Sequence, residues 1–286
     1  MINKLLKLKI KIHPLFWLVA IAAVWTGQFI ELMTLFALVI IHELGHVFSA
    51  LSFGWRVREI ELLPFGGVAK VDEWGTTSTR EEIIVALAGP FMNIVMIIVA
   101  YVFFLLGIWE ETWSAFFIHG NLVIAVFNLI PAWPLDGGKV VHAVLTHYIS
   151  FRQSIYIILV WSILVIIGFM IFAYFYSSKL NLLVISLYLL IEIKVAWKRI
   201  HYQFIRFLLF KMEQITTKKT HLPHSFIFLQ PSDKIGEVVK MIKKGYYHYF
   251  HVLDNHQNIV VKLREEQILT LFFENPSLTI SECITV

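Results

Sequence analysis

The segment LFALVIIHELGHVFSA, residues 35–50, places two histidines and a glutamate inside an otherwise apolar run. That run extends from Leu32 to Phe53, and a helix that crosses a bilayer takes about 20 mostly apolar residues. His42 and His46 are four residues apart, so their imidazoles share one helix face and can reach a single metal ion. Glu43 can then accept a proton from water at that ion. Chance would place about 0.03 copies of this pattern in such a chain, so we predict a zinc-dependent hydrolase site.

The composition places much of this chain in a membrane. Its 286 residues are 58% hydrophobic and only 15% charged, whereas a soluble domain has about a quarter of its residues charged. Apolar segments that are long enough, or nearly so, to span a bilayer are 13–29, 33–53, 83–108, 115–135, 154–176 and 180–197. We therefore predict a polytopic α-helical membrane protein with about six transmembrane helices and a small C-terminal α+β domain.

Basic residues fall on alternate sides of these predicted spans. Lysines and arginines precede the first span and follow the second, fourth and sixth, while the loops around 27–31 and 109–113 have none. Cytoplasmic loops of membrane proteins carry an excess of Lys and Arg, so we predict that both termini are cytoplasmic. These loops also explain the net charge of +4, and we expect no direct binding to nucleic acid.

Polar residues concentrate after about residue 198. We predict a transmembrane metalloprotease domain (1–197), a basic amphipathic linker that lies on the membrane surface (198–223) and a small soluble domain (224–286). The pattern in the soluble domain predicts a strand near 225–229, a helix over 234–244, strands near 247–253 and 258–263, and a helix over 264–273.

Asp136 is the candidate third metal ligand. A catalytic zinc site has three protein ligands, and two histidines leave one of those places to fill. Asp136 ends an apolar run on the same predicted side of the membrane as His46. Pro131 and Pro134 should open the helix before it, and Gly137–Gly138 should end that helix.

Other ligand choices are restricted. The single cysteine, Cys283, excludes a zinc site made of several thiolates. Glu192 in the sixth predicted span is the alternative third ligand. Its neighbour Lys194 and its place near the end of the span favour an interfacial ion pair instead, so Asp136 is preferred.

Asn128 and Pro134 are candidate substrate-binding or oxyanion residues. Asn128 lies about two helical turns before Asp136, so its amide could hold a substrate carbonyl or form an interhelical hydrogen bond. Asn93, in the segment AGPFMN at 88–93, has the same two interpretations, and the small residues there favour helix packing. Gly45 leaves room beside the histidines for another helix or a substrate backbone.

The loop after the second span contains a predicted β-hairpin over residues 57–71. Apolar and charged residues mix there, and Pro64 with Gly66 and Gly67 interrupts the pattern. Non-helical backbone at membrane depth must pack in protein or line a water-filled cavity. The 57–71 hairpin is predicted to offer an exposed edge to which a substrate segment in extended form adds, and Val57–Leu63 is the stretch in which proline substitutions would test this.

The HExxH pattern in one span, with Asn128, Pro131 and Asp136-Gly137 in another, resembles the site-2 protease family of intramembrane metalloproteases. In that family the aspartate of an NxxPxxxxDG motif is the third zinc ligand, and this chain matches that motif throughout. The segments IHP at 12–14, LPFGG at 63–67 and WPLDGGK at 133–139 are similar to the sporulation members of the family. The order of elements in 224–286 is similar to the cystathionine-β-synthase (CBS) motif that those members carry, which implies a CBS-like regulatory domain there.

This resemblance implies an activity and partners. The substrate would be the membrane-associated precursor of a late sporulation sigma factor, cut near its N-terminal pro-sequence. The location would be the mother-cell membrane around the forespore, where membrane inhibitor proteins would hold the protease silent. CBS motifs work in pairs and often bind adenine nucleotides, so ATP binding is implied, together with a homo-oligomer that supplies the second motif.

Two other classes of protein stay open from the sequence. A CBS-regulated membrane transporter would leave the histidine and aspartate pattern as a coincidence, and we detect no inverted repeat between the two halves of the chain. A zinc-bound but catalytically inactive scaffold is the second alternative. Such a protein would not need the general base that Glu43 offers.

Overall fold

The computed structural model describes residues 9–12, 14–63, 66–71, 75–175, 180–217, 222–254 and 257–284. His13, Pro64 and Phe65, which belong to the family-like segments, lie outside the described residues. The chain divides into two compact units. One contains Met1–Val140 and Leu164–Leu190, and the other contains Val141–Ile163 and Ile191–Val286.

Most of the described chain is helical. The helices are α1 (Pro14–Trp25), α2 (Phe29–Ser52), α3 (Thr79–Leu105), α4 (Glu111–Asn128), α5 (Asp136–Tyr148), α6 (Phe151–Phe175), α7 (Leu180–Thr216), α8 (Ile235–Val238), α9 (Glu265–Glu274) and α10 (Ile280–Ile284). The strands are β1 (Lys9–Ile12), β2 (Val57–Leu63), β3 (Gly66–Val71), β4 (His224–Leu229), β5 (Tyr247–Leu253) and β6 (Ile259–Arg264).

Three helices in the described part of the chain are long and apolar enough to cross a membrane. They are α2, α3 and α6, with 24, 27 and 25 residues. At about 1.5 Å per residue each exceeds the roughly 30 Å hydrocarbon core of a bilayer. By contrast, α1 has 12 residues, about 18 Å of helix, which is too short to cross that core unaided. The total of six spans and the cytoplasmic position of both termini stay predictions.

The predicted hairpin is present, but its first strand is not an edge. β2 pairs with β3 in antiparallel fashion, from Val57 opposite Val71 onward. β1 pairs with the other side of β2 in parallel, beginning with Lys9 opposite Glu59. Both sides of β2 are therefore bonded over residues 59–62, so Val57–Leu63 does not provide the free edge, and the outer strand of the predicted hairpin is β3. In the described sheet, the outer strands are β1 and β3.

α7 continues through the predicted end of the sixth span. It runs from Leu180 to Thr216 without a break at residue 197. One face near its end is buried, and Phe207 on that face stacks on Phe151 of α6 with ring centroids 4.1 Å apart. The apolar face of the predicted linker thus packs against protein. Contact of its other face with a membrane surface stays a prediction.

The C-terminal domain has the predicted strand–helix–strand–strand–helix order, here β4, α8, β5, β6 and α9. β4 and β5 are parallel, while β5 and β6 are antiparallel. The helix predicted over 234–244 is shorter, because α8 is followed by a 3₁₀ turn over Val239–Met241 and the chain then leaves the helix. Ile242 is fully buried, and its carbonyl oxygen accepts the N–H of Phe151 at 3.2 Å, which requires this departure.

A buried ion pair joins the end of α7 to α9. Lys211 Nζ donates to the carbonyl oxygen of Tyr246 at 2.6 Å and lies 3.3 Å from Glu265 Oε1. Glu265 Oε2 also accepts the backbone N–H of His248 at 2.7 Å. Burial lowers the pKa of the Lys211 ammonium, and the neighbouring Glu265 carboxylate opposes that shift. Removal of one partner would leave the other charge buried without its present ion-pair partner, with His248 Nδ1 3.1 Å from Glu265 Oε2.

We expect Lys211→Met to destabilise the C-terminal domain by about 3–5 kcal/mol, because the buried Glu265 would lose its lysine partner and keep only His248, whose Nδ1 lies 3.1 Å from Oε2. Thermal unfolding of the detergent-solubilised chain, followed with limited proteolysis of residues 224–286, measures this change. The double variant Lys211→Met/Glu265→Gln should recover most of the loss, since it buries no charge. Native stability of the single variant would contradict this role of the ion pair.

Candidate metal centre

The fold brings the side chains of His42, His46 and Asp136 together. The histidines lie on α2, and Asp136 is the first residue of α5. His42 Nε2 is 3.2 Å from His46 Nε2, and Asp136 Oδ2 lies 3.2 Å and 3.1 Å from those two atoms. All three residues are buried. Histidine, cysteine, aspartate and glutamate side chains can bind a metal ion. Among the residues that the structure describes, these three form the only group of three or more such side chains whose ligand atoms lie within 4.8 Å of one another.

The spacing of these three atoms fits a zinc ion. Zinc binds imidazole nitrogen and carboxylate oxygen at about 2.0–2.2 Å in a tetrahedron, which places ligand atoms about 3.3 Å or slightly more from one another. The observed separations of 3.1–3.2 Å are close to that value. Two histidines with one carboxylate also leave the fourth position for water or substrate, as a catalytic site requires.

Hydrogen bonds behind the two imidazoles fix their tautomers. His46 Nδ1 is 2.7 Å from the carbonyl oxygen of Val85, which can only accept, so this nitrogen carries the proton. His42 Nδ1 is 2.5 Å from Asn93 Oδ1, which is also an acceptor. When both rings are neutral, the two Nε2 atoms present lone pairs towards the Asp136 carboxylate. Three such atoms repel one another unless a proton or a metal ion lies between them, and a metal ion is the one cation that can bond all three at once.

Two glycines allow α2 and α3 to approach closely at this point. A Cβ on Gly45 would lie 2.7 Å from the carbonyl oxygen of Ala88, so the space predicted beside Gly45 is occupied by α3. A Cβ on Gly89 of α3 would lie 2.3 Å from His46 Nε2 and 2.6 Å from His42 Nε2. Gly89 therefore leaves free the volume into which both ligand nitrogens point.

The chain before Asp136 differs from the prediction. α4 ends at Asn128, short of residue 135, and Gly137–Gly138 lie in the first turn of α5 instead of ending a helix. A Cβ on either glycine would fall 2.2–2.4 Å from backbone atoms of residues 129–132. Glycine is needed because the irregular segment 129–135 folds back against the start of α5. Lys139 Nζ donates to Asp136 Oδ1 at 2.9 Å, which leaves Oδ2 towards the histidines.

The other predicted site residues lie at different distances from this group. Glu43 is buried and close enough to interact electrostatically with His46 and Lys139. Asn128 is half-buried, and its Nδ2 donates to the carbonyl oxygen of Ile124 at 3.0 Å within its own helix.

The remaining two candidates are Pro134, predicted to bind substrate or an oxyanion, and Glu192, the alternative third ligand. Pro134 is half-buried in the segment between α4 and α5, and it has no side-chain donor with which to bind an oxyanion. Glu192 lies on α7, and it is not part of the ligand group among the described residues.

Asn93 and Asn121 are buried polar residues whose hydrogen bonds behind His42 could not be predicted from the sequence alone. Asn93 accepts from His42 and donates through Nδ2 to Asn121 Oδ1 at 2.9 Å. Asn121 in turn donates through Nδ2 to the carbonyl oxygen of Phe117 at 3.0 Å. Both side chains are fully buried. The signal in the sequence is an amide within an apolar helix, where an unpaired polar group is costly.

Known proteins share this sequence and fold. The chain matches Peptidase family M50 over residues 30–115 and 106–171. Stage IV sporulation protein FB of Bacillus subtilis is 30% identical over 269 residues, which are 93% of this chain and 92% of that protein. A zinc metalloprotease of Methanocaldococcus jannaschii is 34% identical over 143 residues, which are 46% of this chain and 38% of that protein.

A solved structure gives the same result for the fold. The site-2 protease from Methanocaldococcus jannaschii superposes with a TM-score of 0.53 at 26% identity, covering 65% of this chain and 89% of that one. The residues matched to the family include both histidines of α2 and Asp136. With 30% identity extending over nearly the whole chain, this protein belongs to peptidase family M50, the zinc metalloproteases of the site-2 protease type.

Proposed function

We propose that this chain is an intramembrane zinc endopeptidase in which His42, His46 and Asp136 hold the ion and Glu43 is the general base. The observation that carries this proposal is the buried triangle of ligand atoms, 3.1–3.2 Å apart, next to helices long enough to cross a membrane. The ion would lie towards the cytoplasmic side of the bilayer, as the alternation of basic loops predicts.

The residues of the site have separate roles in peptide hydrolysis. Bound zinc supplies a Lewis acid that polarises a peptide carbonyl and makes water a nucleophile at neutral pH. Glu43 takes the proton from the attacking water and passes it to the leaving nitrogen. Lys139 holds one oxygen of Asp136, so the other oxygen keeps its orientation towards the histidines while the reaction proceeds.

Asn128 and the segment around Pro134 would hold the substrate. Within the described part of the chain, Asn128 Nδ2 donates to Ile124 of its own helix, and a substrate carbonyl could replace Ile124 as the acceptor. Residues 129–135 are not helical, but the N–H groups of Leu129, Ile130, Ala132 and Leu135 already donate to carbonyl oxygens of the chain. We propose that the segment around Pro134 contacts the substrate and that the Asn128 amide stabilises the charge that develops on the oxygen of the scissile bond.

The substrate must enter as an extended segment, because the peptide bonds of a regular helix are enclosed by its own hydrogen bonds. β3, and not β2, is the strand of the hairpin with an outer side in the described sheet. It lies beside α2, the helix that carries both histidines. We propose that Gly66–Val71 offers the edge to which a substrate strand adds.

A role in sporulation is supported by the 30% identity to stage IV sporulation protein FB. We propose that the substrate is the membrane-associated precursor of a sporulation sigma factor, cut near its pro-sequence. The location would be the mother-cell membrane surrounding the forespore, with membrane inhibitor proteins controlling the enzyme. Co-expression with candidate precursors tests this substrate directly.

The C-terminal domain would regulate the protease. Its order of elements supports a CBS-type fold, and the region after residue 224 has room for one such motif. We propose that the second motif comes from another copy of the chain and that ATP binds where the motifs meet. Equilibrium dialysis with ATP and the mass of the detergent-solubilised assembly test these two points separately.

We predict that Gly89→Ala abolishes zinc binding while the fold is kept. The added methyl would lie 2.3 Å from His46 Nε2 and 2.6 Å from His42 Nε2, in the volume that the ion requires. Zinc affinity should fall by at least about 100-fold, measured by metal analysis of the purified chain and by competition with a chelator. Gly168→Ala is the matched control, because a Cβ at Gly168 of α6 meets no atom within 4 Å. Retention of zinc by Gly89→Ala would place the ion elsewhere.

We predict that Glu43→Gln keeps zinc and loses peptide hydrolysis. The amide is close to the carboxylate in size but cannot take a proton from water, so cleavage should fall by about 10²–10⁴-fold. Co-expression with a candidate precursor measures cleavage, and metal analysis of both purified forms measures zinc. Cleavage at the native rate would exclude Glu43 as the base. If the native chain binds zinc but cuts no precursor, the inactive scaffold becomes the better explanation.

A further inference from the structure

We propose that Asn121 is a positioning residue of the metal centre, and that it acts through Asn93 to fix which nitrogen of His42 carries the proton. The proposal rests on the metal site proposed above. It concerns a residue of α4 that is not a ligand and lies two hydrogen bonds away from the nearest ligand.

The four groups form one line of hydrogen bonds across three helices. His42 Nδ1 on α2 is 2.5 Å from Asn93 Oδ1 on α3. Asn93 Nδ2 donates to Asn121 Oδ1 on α4 at 2.9 Å, and Asn121 Nδ2 donates to the Phe117 carbonyl oxygen at 3.0 Å. The exposed fractions of His42, Asn93 and Asn121 are 2%, 0% and 0%, so water does not substitute for these partners.

The direction of this line is set at its far end. The carbonyl oxygen of Phe117 can only accept a hydrogen bond, so Asn121 must turn its NH₂ group towards Phe117. Its Oδ1 then faces α3, and Asn93 must present its own NH₂ group to that oxygen. Asn93 Oδ1 is consequently left for His42, and His42 Nδ1 must be the protonated nitrogen. A backbone carbonyl in α4 thereby determines that His42 Nε2 presents a lone pair to the ion.

The two histidines differ in the kind of acceptor that their Nδ1 atoms face. His46 Nδ1 donates directly to the carbonyl oxygen of Val85, a backbone acceptor that cannot rotate. His42 instead faces an amide whose two ends have nearly the same shape, and Asn93 could rotate to offer NH₂ in place of oxygen. In that orientation the proton of His42 would move to Nε2 and point at the ion. Among the hydrogen bonds of the described residues, the one from Asn93 Nδ2 to Asn121 Oδ1 is the bond that this rotation would break.

Two substitutions at one position separate this role from simple packing. Asn121→Leu has similar volume but no polar atom, so Asn93 loses the partner that fixes its orientation. Asn121→Asp keeps an acceptor towards Asn93 whether or not its carboxyl is ionised, and the protonated form can also donate to the Phe117 carbonyl. If Asn121 mattered only for packing, the buried carboxyl would be the more damaging change.

The experiment measures zinc affinity of the full chain in detergent by chelator competition, with the visible spectrum of the Co²⁺-substituted protein as a second readout. We expect Asn121→Leu to weaken zinc affinity by about 10–100-fold and to alter the Co²⁺ spectrum. We expect Asn121→Asp to stay within about threefold of the native chain with a native spectrum. Ser162→Ala on α6 is the control, because Ser162 is also a buried polar residue and donates to Ile158 of its own helix.

Native affinity and a native spectrum in a folded Asn121→Leu variant would overturn the proposal, as would an Asn121→Asp variant that binds zinc less well than Asn121→Leu. If Asn121→Leu does not fold, Asn121→Thr replaces it, because its side chain is too short to reach both partners. A native chain that binds no zinc would overturn the metal site itself. That outcome is distinct from a native chain that binds zinc with no dependence on residue 121.

Discussion

The mutual approach of three lone-pair-bearing atoms in a buried site is the constraint on which the rest of this structure depends. Two imidazole nitrogens and a carboxylate oxygen within 3.1–3.2 Å of one another repel when no proton or metal ion lies between them. The protein must supply the free energy that holds them there when the ion is absent. It does so with partners behind each ligand: Val85 for His46, Asn93 for His42 and Lys139 for Asp136.

Close contact between backbone segments also helps to hold the three ligand atoms together. Gly45 lets α3 approach α2, Gly89 leaves the volume between the two imidazoles, and Gly137–Gly138 let the start of α5 pack against the irregular chain before it. Helix association in a bilayer depends on such packing, since lipid is as apolar as the helix surfaces. The same small residues that join the helices therefore also shape the space for the ion.

The ligand set was predictable from the sequence because its chemistry is local. His42, Glu43 and His46 lie within one helical turn, and Asp136 stands out as an acidic residue at the end of an apolar run. The hairpin over 57–71 and the order of the C-terminal elements also follow from short-range patterns. The parallel strand β1 and the new helix that begins at Asp136 do not, because each depends on pairing or packing with distant residues.

The buried amides Asn93 and Asn121 show which part of the site could not be predicted from the sequence. Asn93 was open to two interpretations because a single sequence gives no partner for it, and a polar group in a spanning helix can satisfy itself on a neighbour or on a functional group. In the structure Asn93 has both kinds of partner: its Oδ1 accepts from the ligand His42, and its Nδ2 donates to Asn121 on a neighbouring helix. Hydrogen bonds have direction, so a fixed acceptor at one end of such a line constrains every group up to the ligand. Periodicity contains no information on that direction, and only the contacts between α2, α3 and α4 supply it.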